Sequence, residues 1–243
     1  MRLYGLIGKP LTHSFSKAYF TEKFSKLGID DCSYENFELA SIDDLRNLLS
    51  NQSQLKGLNV TIPYKEQVLP FLYYQDDVVK AVGACNCIRI VEGKLYGFNT
   101  DVTGFQHSLQ PLLKSHHSKA LILGTGGAAK AVAYSLNQLG IEYKFVSRKI
   151  IGNGLAYEEI DRNMLNEYSI IINTTPLGMY PNIEQEPPLP YHFISEQHLL
   201  FDLIYNPAKT SFLQRGEESG ATTLNGHQML IIQAEESWKI WNS

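Results

Sequence analysis

Ala120-Leu-Ile-Leu-Gly-Thr-Gly-Gly-Ala-Ala-Lys130 is the stretch whose reading decides the fold of this chain. Ala120 to Leu123 read as a short buried parallel strand. Gly124, Gly126 and Ala129 then match G-x-G-x-x-[G/A], and a helix-forming run from Ala128 to Leu139 comes next, stopped by Gly140. The physics of such a turn favours a phosphate. Gly124 permits the tight turn, and Gly126 has no Cβ to hold a pyrophosphate off the backbone. Ala129 allows close helix–strand packing, and the helix N-terminus offers N–H groups at the positive end of its dipole.

A glycine pattern alone is weak, and its surroundings decide. About 20 residues on, an NAD-binding unit carries Asp or Glu at the end of its second strand for the ribose 2′-hydroxyl. Here the second strand, Tyr143 to Val146, ends in Ser147-Arg148-Lys149. Two cations and a hydroxyl suit a 2′-phosphate, which points to NADP rather than NAD. The plain alternative is a βαβ unit with a solvated basic turn.

At 243 residues the chain has room for one large or two modest domains. With 44% hydrophobic and 19% charged residues it has the composition of an ordinary soluble protein. A net charge of −4 and no Lys/Arg-rich run give no footprint for nucleic acid. Three cysteines, Cys32, Cys85 and Cys87, are too few for a disulfide framework and fit a reducing compartment. Met1-Arg-Leu-Tyr-Gly5 leads directly into a strand without a signal peptide or spanning segment, so a cytoplasmic location is expected.

Upstream, strand-like Leu3–Ile7, Tyr34–Leu39 and Gly57–Ile62 alternate with helical runs at Lys17–Leu27 and around Leu45, Leu48 and Leu49, the latter capped by Ser41. Asn86–Val91 and Lys94–Phe98 flank Glu92-Gly93 as a hairpin. A helix runs from Asp101 to about Leu113, and Ser115-His-His-Ser118 reads as the seam between halves. Strands at Ser169–Asn173 and Leu199–Ile204 continue the nucleotide unit. The end, Gln228–Trp241, is amphipathic, with Leu230, Ile231, Ala234, Trp238 and Trp241 on one face. The expected architecture is a two-domain α/β chain: a substrate domain over 1–101, and a Rossmann-type doubly wound domain over 102–225. The second begins with a connecting helix at 102–114, and a helix at 226–243 packs back on the first. An active-site cleft is expected between the halves.

Polar residues in the first half gather where strands end. Asn59 and Thr61 share one strand face, and Lys65 stands in the first turn of a helix, where a cation opposes the dipole. Asn86 opens one hairpin strand, and Asn99-Thr100-Asp101 closes the other. Each has a plain alternative: Asp101 as an N-cap, Asn86 as a turn former, Lys65 as a solvated charge, Ser14 and Ser16 as capping hydroxyls. The seven histidines show no metal-binding spacing, and His116-His117 reads as linker; no metal is expected.

Taken in order, the segments resemble the shikimate dehydrogenase family over essentially the full length. They are Gly8-Lys-Pro-Leu-Thr-His-Ser-Phe-Ser16, Gly57-Leu-Asn-Val-Thr-Ile-Pro-Tyr-Lys65, Gly83-Ala-Cys-Asn86 and Gly97-Phe-Asn-Thr-Asp101. Gly124-Thr-Gly-Gly-Ala-Ala129, Asn173-Thr-Thr-Pro-Leu-Gly-Met179, Asp202-Leu-Ile-Tyr-Asn-Pro207 and Gly226-His-Gln-Met-Leu-Ile-Ile-Gln233 complete the set. The resemblance implies reversible NADPH-dependent reduction of 3-dehydroshikimate to shikimate, with Lys65 as general acid/base and Asp101 as its dyad partner. It implies that Ser14, Ser16, Asn59, Thr61, Asn86, Tyr205 and Gln233, with the dyad, bind the substrate's hydroxyls and carboxylate. It places Gly124, Thr125, Gly126, Gly127, Ala128, Ser147, Arg148, Lys149, Leu203 and Gly226 along the NADP site, and Thr174, Thr175 and Pro176 on its nicotinamide side.

The sequence departs from the family in places. Ser147 stands where the family often has Asn, and the loop from Lys149 to Leu165 and the linker near Leu113 are short. Two rival readings remain. One is a quinate/shikimate dehydrogenase using NAD, against which Arg148-Lys149 argues. The other is a non-catalytic sensor of shikimate-like ligands, against which the presence of both Lys65 and Asp101 argues. Family members occur as monomers and as homodimers, and either is open.

Overall fold

The computed structural model of the protein describes every residue except Thr12, His13 and Ile151, so the Thr12-His13 part of the N-terminal motif lies outside the described residues. In chain order the elements are β1 (Arg2–Gly8), α1 (Phe15–Leu27), β2 (Cys32–Glu38), α2 (Asp44–Asn51), β3 (Leu55–Val60), α3 (Tyr64–Gln67), β4 (Tyr74–Gln75), α4 (Asp77–Val82), β5 (Cys87–Val91) and β6 (Lys94–Phe98). Then come α5 (Thr100–Leu109), β7 (Lys119–Leu123), α6 (Gly127–Gln138), β8 (Glu142–Val146), α7 (Arg162–Glu167), β9 (Ile170–Asn173), β10 (Leu199–Asp202), α8 (Ser211–Glu218), β11 (Thr222–Leu224) and α9 (His227–Trp241). They form two compact units: Met1–Thr100 with Ala234–Ser243, and Asp101–Gln233. Asp101 and residues 226–233 therefore group with the second unit, rather than with the first domain and the C-terminal helix as expected from the sequence.

The first unit holds a mixed sheet of order β2-β1-β3-β5-β6-β4. The chain reverses through Glu92 (φ 50°) and Gly93 (φ 73°), the paired left-handed residues of a tight hairpin turn, and β5 runs antiparallel to both β3 and β6. Side chains alternate faces along each strand. Ile7, Leu58 and Ile88 pack into one core, while Tyr4, Leu6 and Cys87 pack into another with Phe20, Phe24, Tyr34 and Trp241. The Trp241 indole N–H donates to the Ile88 carbonyl (3.0 Å) and its ring lies over Gly57, where any Cβ would strike it.

The second unit is a five-stranded sheet, β11-β10-β9-β7-β8, parallel throughout. Both faces are buried: Leu121, Leu123, Ile171 and Leu200 face one core, Ala120, Ile122, Ile172 and Phe201 the other. Such strands read as continuous apolar runs, which is why the sequence identifies them. The strand order reverses at β7, flanked by β8 and β9, and ligands of open α/β sheets bind at that switch point, beyond the strands' carboxyl ends. Among the described residues no helix is long and apolar enough to cross a membrane.

Several local readings change. Ser41 does not cap α2; Asp43 precedes the helix, and the Ser41 hydroxyl accepts the Asp43 N–H (3.1 Å) in the turn before it. The helix expected to reach Leu113 ends at Leu109, because Pro111 lacks a backbone N–H and Gln110–Leu112 tighten into a 3-10 turn. Residues 115–118 are no seam. His116 and His117 lie within the second unit, their imidazoles 3.0 and 3.3 Å from the Gln197 carbonyl. The sequence reading did not name α4, α7, α8, β4 or β11, which are eight residues or fewer and too short for a clear period.

Candidate active site

In the first unit the ends of β3 and β6 and the turn before β5 bring polar side chains into one buried network. Asn59 sits one residue from the end of β3, 4% exposed, and its Oδ1 accepts the Tyr34 hydroxyl (2.9 Å). Its Nδ2 donates to the Asn86 carbonyl (3.3 Å) and to Ser237 Oγ (2.9 Å). Asn86 Oδ1 accepts the Thr100 N–H (2.7 Å), its Nδ2 donates to Thr100 Oγ1 (3.0 Å), and the Thr100 and Ser237 hydroxyls are 3.2 Å apart. Burial holds the Tyr34 phenol well above its usual pKa, so it remains a donor to Asn59, with Ser16 also in hydrogen-bonding reach. A buried network is stable only when its members find partners, and these do.

The remaining expected residues divide between the two units. Thr61 comes directly after β3, half-buried, with its N–H on the Ile7 carbonyl (2.9 Å). Lys65, in α3, is half-buried and its carbonyl accepts the Cys85 N–H (2.8 Å). Ser14 caps α1 by accepting the Lys17 N–H (3.4 Å), so its plain reading as a cap holds whatever else it does. Asp101, 9% exposed, is the second residue of α5. In the second unit, Gln233 is buried in α9 and donates to the Leu230 carbonyl (2.9 Å), while Tyr205 is half-buried, its phenol pKa raised by burial.

The cradle at the switch point is built from backbone. Gly124 has φ 107°, and a Cβ there would lie 2.7 Å from Thr174 Oγ1, so the turn admits glycine on two separate grounds. A Cβ on Gly126 would meet nothing within 4 Å, and no side chain caps α6 at Gly126, which leaves the first-turn N–H groups around Gly127 and Ala128 to an anion. Thr125 is half-buried between these glycines. Thr174 Oγ1 donates to the Leu123 carbonyl (2.6 Å) and the Leu203 N–H to the Asn173 carbonyl (3.0 Å). Gly226 donates its N–H to the Ile204 carbonyl (3.0 Å) and approaches Leu203 so closely that any Cβ would strike the Leu203 carbonyl. Ser147 stands just past β8 and bonds the Lys149 carbonyl through its hydroxyl, and Arg148 and Lys149 are exposed. An open phosphate cradle with cations past the second strand fits a phosphorylated dinucleotide.

The substrate-binding domain of shikimate dehydrogenase, as a family model, matches residues 6–88. Two relatives named "Shikimate dehydrogenase (NADP(+))" align over 99% of this chain: that of Caldicellulosiruptor saccharolyticus, 37% identical with 91% of its own length covered, and that of Clostridium beijerinckii, 40% identical with 92% covered. The chain belongs to the shikimate dehydrogenase family. The crystal structure of the Thermus thermophilus shikimate 5-dehydrogenase in complex with NADP(H) and shikimate superposes with TM-score 0.87 at 29% identity, covering 99% of this chain and 93% of that one.

Sequence reasoning gave no role to the residues that partner these side chains, although Thr100 and Asp202 stood within the segments it quoted. Tyr34, Thr100 and Ser237 complete the first unit's network; Asp202 and Thr210, both buried, underlie the second unit's loops. Ser237 carried a faint signal: a serine four residues beyond Gln233, on the buried side of a helix whose other buried residues include Met229, Ala234 and Trp241.

Proposed function

We infer that the protein is an NADP-dependent shikimate dehydrogenase, catalysing the reversible reduction of 3-dehydroshikimate to shikimate in aromatic amino acid biosynthesis. The observation that carries this is the joint presence, over one full-length match, of the family's polar strand ends and a glycine cradle followed by Arg148 and Lys149.

Gly124 to Ala128 would hold the pyrophosphate, Arg148 and Lys149 the 2′-phosphate beside Ser147, and Thr174, Leu203 and Gly226 the nicotinamide side. Bound there, NADPH supplies the hydride for the ring carbonyl carbon. Lys65 Nζ gives the carbonyl oxygen its proton and takes it back from the hydroxyl in the oxidative direction. Asp101 is the carboxylate of the dyad, balancing the charge that Nζ gains and loses. Ser14, Ser16, Thr61, Tyr205 and Gln233 offer neutral donors and acceptors to the substrate's hydroxyls and carboxylate. Asn59 and Asn86, whose amides are already engaged inward, would shape and orient the first unit's share of these groups. A site built for several hydroxyls rejects analogues lacking one, because buried partners are left unpaired. A cytoplasmic home accords with three buried cysteine thiols.

The test is oxidation of shikimate and of quinate with NADP and with NAD, monitored by absorbance of the reduced nicotinamide. Strong turnover with shikimate and NADP alone is expected. Equal turnover with quinate and NAD would make the protein a quinate/shikimate dehydrogenase. Ligand binding with no turnover for any pair would make it a sensor.

A further inference from the structure

At the carboxyl ends of β9 and β10 the second unit buries a carboxylate that opens the Asp202–Pro207 segment but has no part in the catalytic scheme. Asp202, fully buried, ends β10 opposite Asn173, which ends β9. Its Oδ1 accepts from Asn173 Nδ2 (3.1 Å) and from the Ile204 N–H (3.0 Å), and its Oδ2 from Thr210 Oγ1 (2.6 Å). These donors are an amide, a backbone N–H and a hydroxyl, all neutral. Burying a carboxylate among neutral donors is costly, and burial pushes the Asp202 pKa up to about 6.

What the carboxylate gains is reach. Asn173, held on one side by Asp202, accepts on its Oδ1 from the Thr175 N–H (3.0 Å) and Thr175 Oγ1 (2.7 Å), and its Nδ2 also donates to the Leu177 carbonyl (3.3 Å). Ile204, held on the other side, accepts the Gly226 N–H on its carbonyl (3.0 Å). Thr210 caps α8 by accepting the Leu213 N–H (3.4 Å). One side chain thus ties together the loop after β9, the loop after β10, the Gly226 approach and the start of α8. A purely apolar residue at this position would leave Asn173 and Ile204 without a common acceptor.

We propose that Asp202 is a positioning residue for the nicotinamide half of the cofactor site, fixing through Asn173 and Ile204 the two loops that carry Thr174 and Leu203. This rests on the assignment of those two residues to the cofactor. The adenine half depends on Arg148 and Lys149 at the end of β8, away from the loops after β9 and β10, so the two halves should respond differently when Asp202 is changed.

The experiment is calorimetric titration of wild type, Asp202→Ala, Asp202→Asn and Asn173→Ala with NADP and with adenosine 2′,5′-bisphosphate, which carries the adenine half alone. Asp202→Ala and Asn173→Ala should each weaken NADP about tenfold or more while leaving the bisphosphate within about twofold; Asp202→Asn, whose amide oxygen still accepts from Asn173 and Ile204, should restore NADP to within about threefold of wild type. Asn173→Ala leaves Asp202 two of its donors and so reports even if Asp202→Ala does not fold. Equal weakening of both ligands, or none of either, overturns the inference while leaving the cofactor reading intact. Wild type that binds neither ligand overturns the cofactor reading, and the inference with it.

Discussion

The two units present polar groups at their strand ends in opposite ways. The first builds from side chains: Asn59, Asn86, Thr100, Ser237 and Tyr34 lock one another in place at the ends of a mixed sheet. The second builds from absence: at Gly124 and Gly126 it presents bare backbone at the end of a parallel sheet whose central strands are buried on both faces. The first should therefore be sensitive to truncating a side chain, the second to adding one.

The largest effect tests the first unit's chemistry. Lys65→Ala should lower turnover about 10²–10⁴-fold, the ordinary range for a positioned acid/base, while NADP affinity measured by titration stays within about twofold. Near-native turnover would remove Lys65 from the dyad.

The second unit's buried charge gives a signature in pH. Asp202 ionises at about 6 in the folded protein, against 3.8 as its ordinary value, so between those limits the folded state holds more protons than the unfolded one. Its contribution is fully present below about pH 4 and is lost as pH rises through about 6, a decline of about 3 kcal/mol at roughly 1.4 kcal/mol per unit. Urea unfolding from pH 4 to 7 should show that decline in wild type and a flatter course in Asp202→Asn. Parallel curves would mean that Asp202 ionises as it does in the unfolded chain.

Gly124→Ala sharpens the contrast from the other side. It forces a side chain into φ 107° and toward Thr174 Oγ1, a strain of about 1–3 kcal/mol, and NADP affinity should fall about tenfold with shikimate binding unaltered. Unchanged NADP affinity would mean that the turn is not the phosphate cradle. Ser237→Ala is the mirror experiment. It removes a partner from both Asn59 and Thr100, so the melting temperature should drop by the equivalent of about 1–2 kcal/mol and the shikimate KM should rise, with NADP affinity held. If NADP affinity moved instead, the division of labour between the units would be wrong.

The same contrast explains how much was legible in the sequence. The glycine cradle was readable because its signal is local: strand, turn and helix are contiguous, and the glycines answer to constraints within one turn. Asn59, Asn86 and Asp101 were readable as polar residues gathered at strand ends and Lys65 as a cation opposing a helix dipole, though their roles came from resemblance. Ser237 lies 178 residues from Asn59 and Thr210 lies eight from Asp202, and neither pairing leaves a trace in local periodicity. The amphipathic reading of the last helix favoured Leu230 and Ile231, yet the structure buries Gln233 and Ser237 more deeply, because a buried polar partner can outweigh apolar burial where it completes a network.

The sequence by itself determined the alternation of strands and helices, the apolar strands of the nucleotide unit, the glycine turn and the basic end of the second strand. Each is a property of neighbouring residues, set by side-chain period and backbone sterics. Tertiary structure alone decided where the units divide, which polar side chains face inward, and that Asp202 ties two loops together. Hydrogen bonds between residues distant in sequence depend on strand order and register, and these are fixed only when the whole sheet assembles.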